Sequence, residues 1–317
     1  PEVWKHTNKV VADILKRYDV DAIHMDDYFY PYRIAGKEFP DAASYAKSGS
    51  RLNKEDWRRS NVDSIIVAIS KAIKEEKPQV RFGISPFSVW RNSDKDPRGS
   101  DSRAGQTNYD DLYADILLWL EKGWIDYVTP QLYWEHGHAL ADYDELVQWW
   151  NDHTYGKALY IGHGIYRAGS NSTWRDPNEI PYQIKKLRAL PNTGGSVYFS
   201  SNSFKNNPNG WNDSLQQNYY KNPAILPSLV PQYKMIAPSI EKKTATSFQI
   251  NMPKNLPVKS FAIIQKEDGV YSVASILAAD SKIVNLNALG INRKMGNQYW
   301  LIAIGLQNQI SEYITIP

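Results

Sequence analysis

Five times in roughly the first 225 residues, a short apolar run is followed by a loop and then by a segment of helical spacing. That alternation constrains the fold more than any other feature. A strand that leads through a helix to the next strand pairs with it in parallel, because the crossover returns the chain to the same end of the sheet. The strands are read at 20–25, 80–85, 125–133, 158–162 and 196–200. Between them, Val10, Ile14 and Leu15 mark one helix, and Val62, Ile65, Ile66, Ile69 and Ile73 mark a second. Three more are read at 113–122, capped by Gly123, at 143–151 and at 181–189. The long loops fall after strands and before helices, which in a (β/α) TIM-type barrel is the catalytic face. An open doubly wound sheet is the alternative. No glycine-rich phosphate turn follows any strand, which argues against its nucleotide-binding form.

Pro223, Pro227 and Pro231 mark a linker, and beyond about residue 230 the texture changes. Short runs at 247–251, 260–265, 283–286 and 299–306 alternate with turns such as Asp268-Gly269 and Gly296-Asn297. This predicts two domains: a barrel portion over 1–228 and an all-β sandwich of the fibronectin type III kind over 229–317.

The sharpest chemical feature is His24-Met25-Asp26-Asp27-Tyr28-Phe29-Tyr30-Pro31-Tyr32, at the end of the first strand. Side chains alternate along a strand, so His24 and Asp26 share one face and the apolar Met25 takes the other, against the helices. Asp26 is then directed to the barrel mouth and Asp27 to its own loop. A structural Asp pair capping that loop is the alternative. In the third strand Gln131, Tyr133 and Glu135 share a parity, with Trp134 between them, and Glu135 stands where a general acid could reach a glycosidic oxygen. A solvated loop residue is the competing reading. Trp90, Arg91 and Asn92 follow the second strand as an aromatic platform with hydroxyl-binding groups, or as a stacked surface contact. His163 and Tyr166 follow the fourth, and Ser200, Ser201 and Asn202 end the fifth. Together they place polar groups at every strand end, as a converging site requires.

Eleven Trp and 21 Tyr against eight Phe give many flat rings with polar tips, a combination suited to sugars and also to layer interfaces. With 37 basic and 34 acidic residues and no basic block, nucleic acid is not an expected partner. There are no cysteines, which excludes disulfides and Cys-ligated zinc. No His-x-x-x-His spacing occurs, so neither metal nor other cofactor is expected. No apolar run reaches the roughly 18 residues of a membrane span. A start at Pro1 reads as a processed or cut product.

At these residues a family resemblance emerges. The run Asp21-Ala22-Ile23-His24-Met25-Asp26-Asp27-Tyr28-Phe29-Tyr30-Pro31 resembles the signature of the glycosyl hydrolase-like 10 family. Phe82-Gly83-Ile84-Ser85-Pro86-Phe87 and Asp126-Tyr127-Val128-Thr129-Pro130-Gln131-Leu132-Tyr133-Trp134 resemble its later strands, and Pro1-Glu2-Val3 its helix before the fourth strand. The resemblance covers about residues 1–225. It implies a (β/α)₈ barrel, distantly similar to the α-amylase and chitinase groups. It also implies export, hence a periplasmic or extracellular protein, with a lipid anchor on the full-length form as one option. In the α-amylase group the nucleophile follows the fourth strand with a basic residue two before it; His24-x-Asp26 is similar, which favours Asp26 over Asp27. Two departures stand out: the family's first three strands are absent, and a Glu after Tyr-Trp is not a fixed family feature.

The expectation is therefore a glycosidase acting on a poly- or oligosaccharide through a carboxylate pair. Asp26 is the nucleophile or charge stabiliser, and Glu135 or Asp27 the acid. The expected sugar contacts are His24, Tyr28, Tyr30, Trp90, Arg91, Asn92, Gln131, Tyr133, Trp134, His163 and Tyr166. A non-catalytic carbohydrate-binding protein and a metal-dependent, deacetylase-like enzyme are the alternatives. Five strands leave two unpaired edges and an apolar barrel interior exposed, which predicts either an open, curved sheet whose edges are covered by loops or by self-association with a second copy, or a preceding segment that is not in this chain. By the same argument the isolated chain should hydrolyse nothing.

Overall fold

The computed structural model describes residues 2–228, 235–253, 256–292 and 296–317. The chain divides into two compact units, Pro1–Asn212 and Asp213–Pro317. The first ends before the expected limit at 228, because Ile225 packs with the second unit's apolar residues. Pro231, expected in the linker, lies outside the described residues, as does Pro1.

Five parallel strands form the sheet of the first unit: β1 (Ala22–Met25), β2 (Arg81–Ile84), β3 (Tyr127–Val128), β4 (Ala158–His163) and β5 (Thr193–Tyr198). Their order in the sheet is their order in the chain. A doubly wound sheet would reverse direction at a switch point, whereas a barrel advances one strand at a time. Helices α1 (Glu2–Arg17), α2 (Ala42–Ser48), α3 (Lys54–Glu76), α4 (Ile116–Glu121), α5 (Tyr143–Asp152) and α6 (Glu179–Arg188) alternate with the strands. Asn53, Asp115 and Asp142 cap α3, α4 and α5 by accepting from backbone N–H groups in the first turn.

The core lies on the helix side of the sheet. Phe82, Ile84, Val128, Leu159 and Ile161 meet Val62, Ile66, Ile69, Leu117 and Leu146 there, with Ile23 and Met25 packed against them. The opposite, inward face differs from the apolar one expected. Its residues include His24, stacked on Tyr127 at 5.6 Å, Tyr160 edge-on to Tyr127 at 5.8 Å, and Arg81 with its guanidinium 5.2 Å over the Tyr127 ring. Gly83 makes this layer fit: a Cβ there would lie 2.0 Å from the Tyr127 ring.

β3 is much shorter than the run 125–133. Pro130 has no N–H to donate to a ladder, and beyond it Gln131 makes only isolated bridges to Phe87 and Gly162. The helix expected from 113 starts at Ile116, because Tyr113 holds φ 54° and Asp115 is the cap.

In the second unit β6 (Ser239–Lys242), β7 (Ser247–Asn251) and β10 (Ile283–Asn285) form an antiparallel sheet in the order β10-β7-β6. β8 (Val258–Glu267), β9 (Val270–Ala278), β11 (Gln298–Gly305) and β12 (Ile314–Thr315) form another in the order β12-β11-β8-β9. Phe248, Ile250 and Val284 from the first cluster with Phe261, Ile263, Leu301 and Ala303 from the second. Asp268 and Gly269, at φ 50° and 81°, turn β8 into β9 as a two-residue hairpin requires.

Candidate active site

The C-terminal ends of all five parallel strands meet around one cavity of about 530 Å³. Asp26, Asp27, Tyr28 and Tyr32 come from the segment after β1, and Phe87 from that after β2. Gln131, Tyr133 and Trp134 follow β3, Tyr166 and Arg167 follow β4, and Phe199 follows β5. Gln106 enters from the long loop before α4.

The two carboxylates have different surroundings. Asp26 is exposed, and its Oδ1 accepts from Gln131 Nε2 at 2.5 Å and from the Asp27 backbone N–H at 3.0 Å. Gln131 is itself held by a second bond, Nε2 to the Ser85 carbonyl at 3.0 Å. Asp27 is only 2% exposed and accepts a short hydrogen bond from the Tyr32 hydroxyl. Burial raises the Asp27 pKa, the Tyr32 bond opposes that rise, and the charge on Asp26 adds to it. The Tyr32 hydroxyl is itself pushed far up, by burial and then by its bond to Asp27, so it remains a donor.

Aromatic rings form the walls. Tyr133 stacks on Phe199 at 6.0 Å, and Tyr166 stands edge-on to both. Trp134 donates Nε1 to Ser88 Oγ at 2.9 Å, and the Arg167 guanidinium lies 5.5 Å from its ring centre. Arg167 Nε is buried without a hydrogen-bond partner. Tyr28 is 77% exposed at the rim.

Several residues expected at the site are elsewhere. Trp90 is fully buried, donates to Asp115 at 3.2 Å and stacks on Trp149, so no face is free for a sugar. Arg91 forks onto Asp110 at 3.0 and 2.9 Å. Asn92 closes the loop onto Ala104 and Ser102. Tyr30 packs edge-on against Phe39 and Tyr113 and lines a different cavity. His24 shares the inward face with Asp26, but its Nδ1 lies 3.0 Å from the Tyr127 hydroxyl and it does not line the cavity. Burial lowers the His24 pKa against the raising effect of Asp26.

Glu135 is not placed as the general acid expected of it. Its carboxylate is buried and accepts from Trp174 Nε1 at 2.7 Å and Asn171 Nδ2 at 2.8 Å. Burial alone would raise its pKa, but its own backbone N–H, the Trp174 indole and the Asn171 amide outweigh burial and leave it lowered. A general acid needs the proton this environment removes. Glu135 braces the loops after β3 and β4 instead.

His163 is also structural. It is fully buried, with Nδ1 2.8 Å from Gln183 Oε1 and Nε2 3.1 Å from Ser196 Oγ. Burial depresses its pKa from 6.5 to about 4. Below pH 6.5 the unfolded chain takes up a proton the folded chain refuses, so stability present above that pH is lost as the pH falls toward 4. The loss approaches about 3 kcal/mol. Chemical denaturation between pH 7 and 4.5 should show it, and in His163→Gln this pH-dependent part should vanish, whatever the variant's baseline. An unchanged slope would assign the acid sensitivity to other groups.

Tyr32, Phe87, Gln106, Arg167 and Phe199 were not among the expected site residues. Phe87, Arg167 and Phe199 lie within four residues of a strand end and are legible by that rule. Tyr32 stands seven residues past β1 and Gln106 deep in the long loop before α4, where no periodicity announces them. Among the described residues no group of three or more His, Asp or Glu could hold a metal ion, and no helix is long and apolar enough to cross a membrane.

The family model for glycosyl hydrolase-like 10 matches residues 1–178. Glycosyl hydrolase YngK of Bacillus subtilis (strain 168) is 42% identical over 275 residues, covering 83% of this chain and 54% of that protein. Glycosyl hydrolase DigH of Escherichia coli (strain K12) is 40% identical over 209 residues, covering 63% and 47%. The chain thus spans about half the length of the curated relatives it matches. Among solved structures, Bacteroides uniformis β-glucuronidase 2 covalently bound to cyclophellitol-6-carboxylate aziridine aligns with a TM-score of 0.37 and 12% identity, over 86% of this chain and 32% of that one.

Proposed function

Because the chain belongs to the glycosyl hydrolase-like 10 family, we propose that it carries an active site that hydrolyses O-glycosidic bonds of a poly- or oligosaccharide. The observation that best supports this is the meeting of Asp26 and Asp27 with aromatic rings from the other strand ends in one cavity. A sugar ring can stack on the Tyr133–Phe199 wall while a carboxylate faces its anomeric carbon. Asp26 is the nucleophile or the stabiliser of the oxocarbenium-like transition state: it is exposed, and Gln131 fixes its orientation. Asp27, whose pKa is raised, is the acid that protonates the leaving oxygen. The strand order of the second unit, three strands in one sheet and four in the other, supports a fibronectin type III-like sandwich.

The assignment of Asp27 makes a signed prediction. The acid must be protonated, so kcat/KM should fall as the pH rises through the raised Asp27 pKa. The Tyr32 bond stabilises the carboxylate; Tyr32→Phe should therefore raise that pKa and move the alkaline limb to higher pH. A limb that stays put, or moves down, would remove Asp27 from the role. A non-catalytic sugar binder is the second reading, favoured by the aromatic walls, which need no acid. Digestion of an oligosaccharide panel by the natural full-length protein separates the two.

A further inference from the structure

A second and larger cavity, of about 880 Å³, lies beside the first. It is formed by the segment between β1 and α2 against α3 and Tyr113. Tyr32 lines both cavities, and its hydroxyl reaches Asp27. The two spaces are therefore neighbours across one side chain.

The second cavity is held open by a buried cation. Arg58 is only 3% exposed. It grips both oxygens of Asp41 at 2.8 and 2.7 Å, Glu38 Oε1 at 2.6 Å and the Tyr113 hydroxyl at 2.6 Å. With these bonds every nitrogen of Arg58 is engaged, so it serves as a pin rather than a ligand-binding group. Beside it, Tyr30 stands edge-on between Phe39 and Tyr113 at 5.2 and 5.0 Å. Arg33 is fastened to Asp111 at 2.9 Å and to the Asp110 carbonyl at 3.0 Å. A short turn, closed by the Ile34–Lys37 bridge, forms the outer rim. Despite this bracing, Phe39, Tyr32 and Ile34 remain 41%, 43% and 63% exposed.

Burying a guanidinium with its partners is weak evidence for stability, since apolar residues would serve a core as well. Here the network fixes a loop that keeps apolar and phenolic faces in water, at a volume within the range of ligand pockets, about 300–1,000 Å³. Rings with polar tips suit the C–H faces and hydroxyls of sugars. We propose that this cavity is a second glycan subsite, continuous with the Asp26–Asp27 cavity through Tyr32, so that the ligand is a chain of several sugars. The proposal rests on the glycoside hydrolase reading but is tested by binding, not turnover.

The test is calorimetric titration of the protein with two ladders of two to seven residues, β-1,4-linked N-acetylglucosamine oligomers and α-1,4-linked glucose oligomers. In one ladder the affinity should rise at least about tenfold between the shortest and longest members, and Phe39→Ala should abolish that rise while leaving affinity for the shortest unchanged. Ile34→Ser, on the exposed rim, is the second variant and should reduce the rise without touching the Arg58 network. Affinity that is flat with length in both ladders, absence of binding included, overturns the proposal. So does a length dependence that both variants preserve. Length-dependent binding by the natural full-length protein without any hydrolysis would instead count against the catalytic reading and leave the subsite standing.

Discussion

Replacing Asp26 by Asn in the natural full-length protein is expected to lower kcat on the order of 10⁴-fold, about 5 kcal/mol of transition-state stabilisation, while oligosaccharide affinity changes little. The substitution is nearly isosteric. Asp26 is exposed, and an amide oxygen can still accept from the Asp27 N–H, so the fold has no reason to respond. What is lost is the negative charge that attacks or shields the developing oxocarbenium ion. Glu135→Gln makes the contrast. Its carboxylate holds Trp174 and Asn171, so its loss should reduce stability and leave the pH profile of any remaining activity in place. Turnover by the Asp26 variant within tenfold of the unsubstituted protein would exclude Asp26 as the nucleophile. Binding by both proteins with turnover by neither would favour the sugar-binding reading.

Replacing Arg58 by Met is expected to destabilise the first unit by about 3–5 kcal/mol, seen as a fall on the order of 10 °C in its thermal midpoint. The size follows from what stays behind. Asp41 is 6% exposed and would keep a buried charge without its forked partner, and the Tyr113 hydroxyl would lose its donor. Removing both charges, as Arg58→Met with Asp41→Leu, should recover much of the loss, because no ion is then stranded. A single variant within about 1 kcal/mol of the unsubstituted protein would mean that Lys54, 3.3 Å from Asp41, suffices to neutralise it. The same loop carries Tyr32, so the single variant should also weaken the restraint on Asp27.

Much of this architecture was legible in the residues themselves. The repeated strand, loop and helix pattern placed four of the five parallel strands within a few residues, and the parity of His24, Met25 and Asp26 separated the two faces of β1. Where the reading slipped, the reasons are local. Pro130 broke a run whose hydrophobicity continued, and Tyr113 adopted a positive φ inside an apparently helical stretch. In the second unit β9 was missed because Val270–Ala278 mixes serine and alanine with its apolar residues, yet its Asp268-Gly269 turn was visible.

The candidate site divides along the same line. Its position at the strand ends, its Asp26–Asp27 pair and the aromatic residues Tyr28, Tyr133, Trp134 and Tyr166 follow from their order along the chain, after the strands that carry them. Which polar groups face the cavity does not follow from that order. Trp90, Arg91, Asn92, Glu135 and His163 have the composition of site residues, but each found a partner within the fold: Asp115, Asp110, Ala104, Trp174 and Gln183. Those partners lie between 12 and 39 positions away in the chain. A polar side chain becomes a brace or a ligand-binding group according to whether the fold satisfies it from within. That choice is made by contacts between distant segments, so only the tertiary structure could decide it.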